Sequence, residues 1–294
     1  MFYIYLDTSF LSELTRVARD IPGAQSNSEK WIKLLTILRQ GVERGIFLCP
    51  ASQFQTQEAM LAANLFKEFT SLQRELCGGC YFKKLEDIMV HQVANQALIY
   101  LGRPYDIGLG WSVFTREPPP VADPFATTIM KSNMTQYAEW ARFQREKFGR
   151  IGSFKKYYEA EKKDILQATF LNPNSDLPGM LISEAKVRTE EVPRLCSFLN
   201  HKSIDRVPFI NIFCSLWAST IVHEQTRKYK PGDILDIAPL ACTIPYCQMI
   251  STDTNMKNFI ERLHFNDKYG LSVYAPTSKD LNALAKNLSQ LNVR

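Results

Sequence analysis

Apolar positions along the chain fall into two patterns, short unbroken runs and stretches spaced three and four apart. The run Phe2 to Leu6 has the length and the aromatic, β-branched character of a buried strand, and Phe10, Leu11, Leu14 and Val17 behind it predict a helix from about Ser9 to Arg19. After the polar turn PGAQSNSE, the residues Trp31, Leu34, Leu35, Leu38 and Val42 predict a second helix, and GIFLCP a short strand ended by Pro50. A helix from about Ser52 to Leu76, a strand in CYFKKL and a helix closed by Gly102 follow. This alternation predicts an α/β fold with a parallel sheet covered on both faces.

From Arg103 the pattern changes. RPYDIGLGWSVFTREPPPVADPF reads as a long loop or boundary, followed by helices at about Ala126 to Lys147, Ser153 to Thr169 and Ser183 to Asn200, with no strands. A helix from about Pro208 to Lys230 comes next. Then GDILDIAPLACTIPYCQMISTD reads as a helix, a turn at Pro245 and a strand from about Cys247 to Ile250. A short helix from Asn255 to Leu263, the strand LSVYAP and a terminal helix end the chain. The expected division is a discontinuous α/β core, 1–101 and 207–294, holding an all-helical insertion, 102–206.

Composition changes this picture little. With 45% hydrophobic and 22% charged residues in 294, disordered and collagen-like readings are excluded. No apolar run reaches the ~20 residues that span a bilayer and no leader precedes the first strand, so a cytoplasmic protein with no membrane partner is expected. The seven cysteines have no regular spacing and suit reduced core thiols; the CGGC pair Cys77 and Cys80 lacks the second pair or histidines that a zinc site needs. A net charge of +5 leans mildly toward polyanions.

The carboxylates matter more. Functional groups of an open α/β sheet gather beyond the carboxyl ends of its parallel strands. Asp7 follows the first strand and Asp253, behind Thr252, follows another; Glu58 lies early in the helix after FLCPAS, and Asp233 and Asp236, three apart, share one face at the start of a helix. Taken singly, Asp7, Asp233 and Asp253 read as helix N-caps and Glu58 as a solvated helix residue. Taken together in one pocket they would raise one another's pKa unless a cation were present, which suits Mg²⁺ or Mn²⁺.

YIYLDTSFLSEL, FLCPASQFQTQEAM and GDILDIAPLACTIPYCQMISTDTNM resemble the segments that mark PIN-domain nucleases. The resemblance covers the two outer thirds of the chain and implies a three-layer α/β/α core. It also implies metal-dependent hydrolysis of phosphodiester bonds, with Asp7, Glu58, Asp236 and Asp253 as catalytic ligands and Asp233 sharing or replacing the role of Asp236. Thr8, Ser9 and Thr252 would orient these carboxylates or water. The four histidines show no mutual spacing and need no catalytic role.

For the substrate, RNA is expected ahead of DNA. Residues 140 to 163 interleave Arg142, Arg145, Lys147, Arg150, Lys155 and Lys156 with aromatics, a combination that neutralises phosphates and stacks bases, although an amphipathic helix pair with inward aromatics fits the same pattern. The rival to an active endoribonuclease is a catalytically silent PIN-like scaffold that binds a protein partner through the insertion. A regulatory partner or a second copy of the chain is compatible with either.

Overall fold

The computed structural model describes residues 1–19, 28–61, 65–103, 111–118, 139, 142–143, 146–147, 153–172, 175–223 and 233–293. By internal contact the chain forms two compact units. The first takes Met1–Lys83, Phe114–Ser132 and Thr243–Arg294; the second takes Lys84–Val113 and Asn133–Cys242.

The first unit is built on a parallel sheet in the order β2-β1-β5-β6, from β1 (Phe2–Leu6), β2 (Phe47–Leu48), β5 (Met249–Ser251) and β6 (Ser272–Tyr274). In β1, Ile4, Tyr5 and Leu6 are each 1% exposed, as expected of a central strand covered on both faces. Tyr3 pairs with Leu48 on one side, and Leu6 with Ser251 on the other, in parallel register. The helices are α1 (Thr8–Ala18), α2 (Ser28–Glu43), α3 (Gln53–Leu61), α4 (Phe66–Cys77), α11 (Thr254–Arg262), α12 (Phe265–Tyr269) and α13 (Ser278–Val293). Phe10, Leu14, Trp31, Leu34, Leu38, Phe47, Leu284 and Leu288 form the dry centre of its core, each worth roughly 1.5–3 kcal/mol on burial.

The second unit holds α5 (Leu85–Tyr100), α6 (Phe154–Ile165), α7 (Leu177–Glu184), α8 (Val192–Leu199), α9 (Pro208–His223) and most of α10 (Asp233–Thr243). Its core is also apolar. Phe198, Ile210, Leu216 and Trp217 are fully buried.

Several expectations need correction. The strand in CYFKKL is two residues long, β3 (Tyr81–Phe82), and pairs antiparallel with β4 (Phe114–Thr115) in a separate ribbon, joined to the end of β2 only by a bridge from Ala51 to Tyr81. Segment 102–206 is therefore not all helical. The helix expected over Ser52 to Leu76 is two helices, α3 and α4, and the one over Ser183 to Asn200 is broken because Pro193 fits only a first helical turn, so α8 starts anew at Val192. The units also divide the chain differently from 1–101 and 207–294 against 102–206, because α5 and α9, apolar over most of their surface, pack among the second unit's helices. Most of the helix expected at Ala126 to Lys147 lies outside the described residues.

All seven cysteines are free thiols, and six are buried. Among the described residues no helix is long and apolar enough to cross a membrane.

Candidate functional site

Because β1 and β5 are parallel neighbours in register, their carboxyl ends lie side by side, and the chain turns from each into a helix. Asp7 and Asp253 occupy those two turns as helix N-caps. Asp7 accepts from the Thr8 N–H at 2.8 Å and from the Ser9 hydroxyl at 3.0 Å; Asp253 Oδ1 accepts from the Asn255 and Met256 N–H groups at 2.6 and 3.2 Å. Both acids are thus caps, and they stand at the ends of adjacent parallel strands.

The strand ends are cross-braced. The Asp7 N–H donates to the Ser251 hydroxyl at 3.1 Å, and the Thr252 N–H donates to the Tyr274 carbonyl at 2.9 Å, which holds the ends of β1, β5 and β6 together. Thr252 is fully buried and acts through its backbone.

Glu58 approaches from α3. The Thr8 hydroxyl donates to its Oε2, so one side chain of α1 links the acid of α3 to the turn that carries Asp7. The placement of α3 depends on a capping box of the S-x-x-Q form: the Ser52 N–H donates to Gln55 Oε1 at 2.8 Å and the Gln55 N–H to Ser52 Oγ at 3.4 Å. From there the buried Gln55 amide donates to the Leu6 carbonyl, immediately before Asp7, and its oxygen accepts from Gln73 Nε2 at 3.0 Å.

Asp7 interacts electrostatically with both of the other acids. Burial is the main force raising its carboxyl to about 6; the bonds from Ser9 and Thr8 pull it back, and the charge of Asp253 pushes it up again. The Glu58 carboxyl is driven to about 8, first by burial and then by the charge of Asp7, against the bond from Thr8. No lysine or arginine among the described residues pairs with Asp7, Glu58 or Asp253. Glu58 Oε1 and Asp253 Oδ2 accept no hydrogen bond from a described residue.

Two further expected ligands stand on α10. Asp236 belongs to the second unit, where it is partly buried and has a partner of its own, and the side chain of Asp233 lies outside the described residues. Among the described residues no three His, Cys, Asp or Glu side chains are gathered closely enough to hold a metal ion. The oxygen-only donors nevertheless fit the chemistry of a hard divalent ion. Mg²⁺ characteristically takes one or two carboxylates and keeps several waters, and Glu58 and Asp253 each present an oxygen without a partner.

The basic patch is partly visible. Arg142, Lys147, Lys155 and Lys156 are exposed, with Lys147 lying 5.6 Å from the Phe143 ring centre, while Arg145 and Arg150 lie outside the described residues. Tyr157 and Tyr158 are buried in the second unit, so these two rings pack inward and offer no face for a base. Of the histidines, His91 is buried, stacked on Trp111 and 2.9 Å from Glu184 through Nδ1, a satisfied core residue.

Sequence reasoning missed Gln55, Gln73 and Ser251. Only the S-x-x-Q spacing of Ser52 and Gln55 carried a readable signal for any of them. No family model, curated protein or solved structure matches the chain.

Proposed function

We propose that the chain is a PIN-like nuclease with a three-layer α/β/α core, hydrolysing phosphodiester bonds of single-stranded RNA in preference to DNA with Mg²⁺ or Mn²⁺. The observation that carries this reading is the row Glu58, Asp7, Asp253: three acids at the carboxyl end of a parallel sheet, two with raised carboxyls, and none with a basic partner. Such a row is costly unless positive charge joins it, and costly carboxylates mark functional sites more often than structural ones.

In this reading Glu58 and Asp253 would hold the ion through their free oxygens and Asp7 would supply further negative charge beside it. The chemistry that a divalent cation would supply there is acidified water and neutralised phosphate charge. Ser9 fixes one oxygen of Asp7, and the Thr8 N–H fixes the other. Thr8 also orients Glu58 through its hydroxyl, and no histidine is needed. The family resemblance also implies a role for Asp236, with Asp233 sharing or replacing it; on this view Asp236→Asn abolishes cleavage and leaves the fold intact.

The test is incubation of purified protein with labelled single-stranded RNA and DNA in Mn²⁺, Mg²⁺ or EDTA, beside Asp7→Asn. The expected result is metal-dependent cleavage, RNA before DNA, lost in EDTA and in the variant. Cleavage indifferent to both would place the chemistry elsewhere.

A silent scaffold is the second reading, favoured by the capping roles of Asp7 and Asp253, which give both acids a structural purpose. It predicts no cleavage under any metal and an insertion that recruits a protein partner.

A further inference from the structure

Helix α6 does not stop at Ile165. Its last turn widens into a π-helix over Leu166–Phe170, with the Leu171 N–H donating to the Leu166 carbonyl at 3.0 Å, five residues back. Such widened turns are rare and recur at functional sites, because the extra residue redirects side chains that an α-helix would align. Here the widened turn borders a cavity of about 480 Å³ within the second unit, closed on its other side by the segment Leu199–Asp205. That volume suits a small organic ligand and is far larger than an inorganic ion requires.

The charges lining it are divided. Both carboxylates are already committed: Asp205 Oδ1 accepts from Lys162 at 2.8 Å and from the Tyr158 hydroxyl at 2.9 Å, and Glu159 takes a second bond from Lys162 at 2.9 Å. Lys163 and Lys202 also line the cavity, and neither forms a hydrogen bond or ion pair with a described residue. Three lysines against two carboxylates leave the lining one net positive charge, and Lys163, beside the charge of Asp164, and Lys202 are the ammonium groups that present it.

His201 adds a third donor. Its Nδ1 accepts from the Ser203 N–H at 3.1 Å, and since a backbone N–H can only donate, the neutral ring carries its proton on Nε2. Two amides serve the rest of the cavity. Asn200 spends its NH₂ on the Cys196 carbonyl at 3.0 Å and keeps its oxygen as an acceptor, while Gln167, on the π-turn, has no partner among the described residues. Leu166, Leu199 and Ile204 supply apolar walls between them.

We propose that this cavity binds a nucleoside monophosphate. Lys163, Lys202 and the Nε2–H of His201 take the phosphate, the amides of Gln167 and Asn200 meet the polar edge of the base, and the leucines cover its faces. The site does not depend on the nuclease reading. Its ligand is a free nucleotide or the phosphorylated end of a strand, which share this chemistry.

The test is calorimetric titration of the full chain with each of the four nucleoside 5′-monophosphates, with adenosine, and with tetra-adenylate carrying a 5′-phosphate or a 5′-hydroxyl. At least one monophosphate binds, adenosine binds at least about tenfold more weakly than its monophosphate if that is the one bound, and the double variant Lys163→Gln, Lys202→Gln loses about tenfold or more in affinity. Both lysines are exposed, so the variant folds, which its thermal melt checks. Binding of the 5′-phosphorylated strand along with the mononucleotide assigns the strand end; binding of the mononucleotide alone assigns the free nucleotide. The proposal is overturned if no monophosphate binds below about 1 mM, or if the double variant binds as the parent does.

Discussion

The Thr8 hydroxyl donates a hydrogen bond to Glu58 Oε2 across the gap between α1 and α3, 50 residues apart in the chain. The bond is the sole donor to that carboxylate among the described residues, and it holds down a carboxyl that burial and Asp7 both push up. Thr8→Val removes it. The expected result is a stability loss of about 1 kcal/mol, a further rise of the Glu58 carboxyl and a fall in cleavage of about 10- to 100-fold, with Thr8→Ser restoring all three. Carboxyl NMR and initial rates measure them; a Val variant that cleaves like the parent removes Thr8 from the site.

Glu58 also makes stability depend on pH. An unfolded glutamate loses its proton near 4.5, whereas the folded chain keeps this one to about 8, so the folded state binds more protons in between. Stability is therefore full below pH 4.5 and falls as pH rises toward 8, and Asp7, raised to about 6, adds a loss of the same sign at lower pH. Thermal melts in EDTA should decline across this window, Glu58→Gln should flatten the decline, and Mg²⁺ or Mn²⁺ at pH 8 should reverse it. A melting temperature independent of pH would contradict the assignment.

Gln55 stitches α3 to the end of β1. Gln55→Leu leaves the Leu6 carbonyl, the Ser52 N–H and the Gln73 amide short of partners in a buried setting. Urea unfolding should register a loss of roughly 3 kcal/mol, since each orphaned group costs about 1–3 kcal/mol and part of the loss relaxes. Cleavage should fall further than stability alone explains, because Glu58 sits one turn beyond Gln55.

Gly41 has no room for a side chain. A Cβ there would collide with the ring of Phe47, which is fully buried, and stand 2.8 Å from Asn292 Oδ1. Gly41→Ala should cost about 1–3 kcal/mol by overpacking, in spite of alanine's better helix propensity. A neutral or stabilised variant would mean that β2 can move away from α2.

The first sheet was largely legible because its strands are uninterrupted apolar runs that end at acids: Phe2 to Leu6 is β1 residue for residue, and the strand before Asp253 differs only at its ends. The two-residue Tyr81–Phe82 was legible as a strand in CYFKKL, but its antiparallel partner Phe114–Thr115, inside a segment that reads as a loop, was not; the ribbon is held by pairing and by the tilted contact of Phe82 with Phe114, centroids 5.0 Å apart. At the site, the positions of Asp7 and Asp253 followed from strand order, but the choice between cap and cluster did not, because burial and the neighbouring charge are properties of the folded unit. The buried amide of Gln73, and that of Gln55 beyond its capping spacing from Ser52, were unreadable for a related reason. A glutamine on a helix gives no sign of whether it faces water or a carbonyl from another strand.

β1 lies inside the sheet, flanked by β2 and β5, and these partners emerge from the ribosome at very different times. Residue 47 follows within seconds, whereas residue 249 waits for more than two hundred further peptide bonds. Throughout that interval one edge of Phe2–Leu6 is bare, an apolar template open to pairing with any other extended chain. Until then β1 remains open to pairing with other chains, and the acidic row cannot exist until synthesis has passed Asp253.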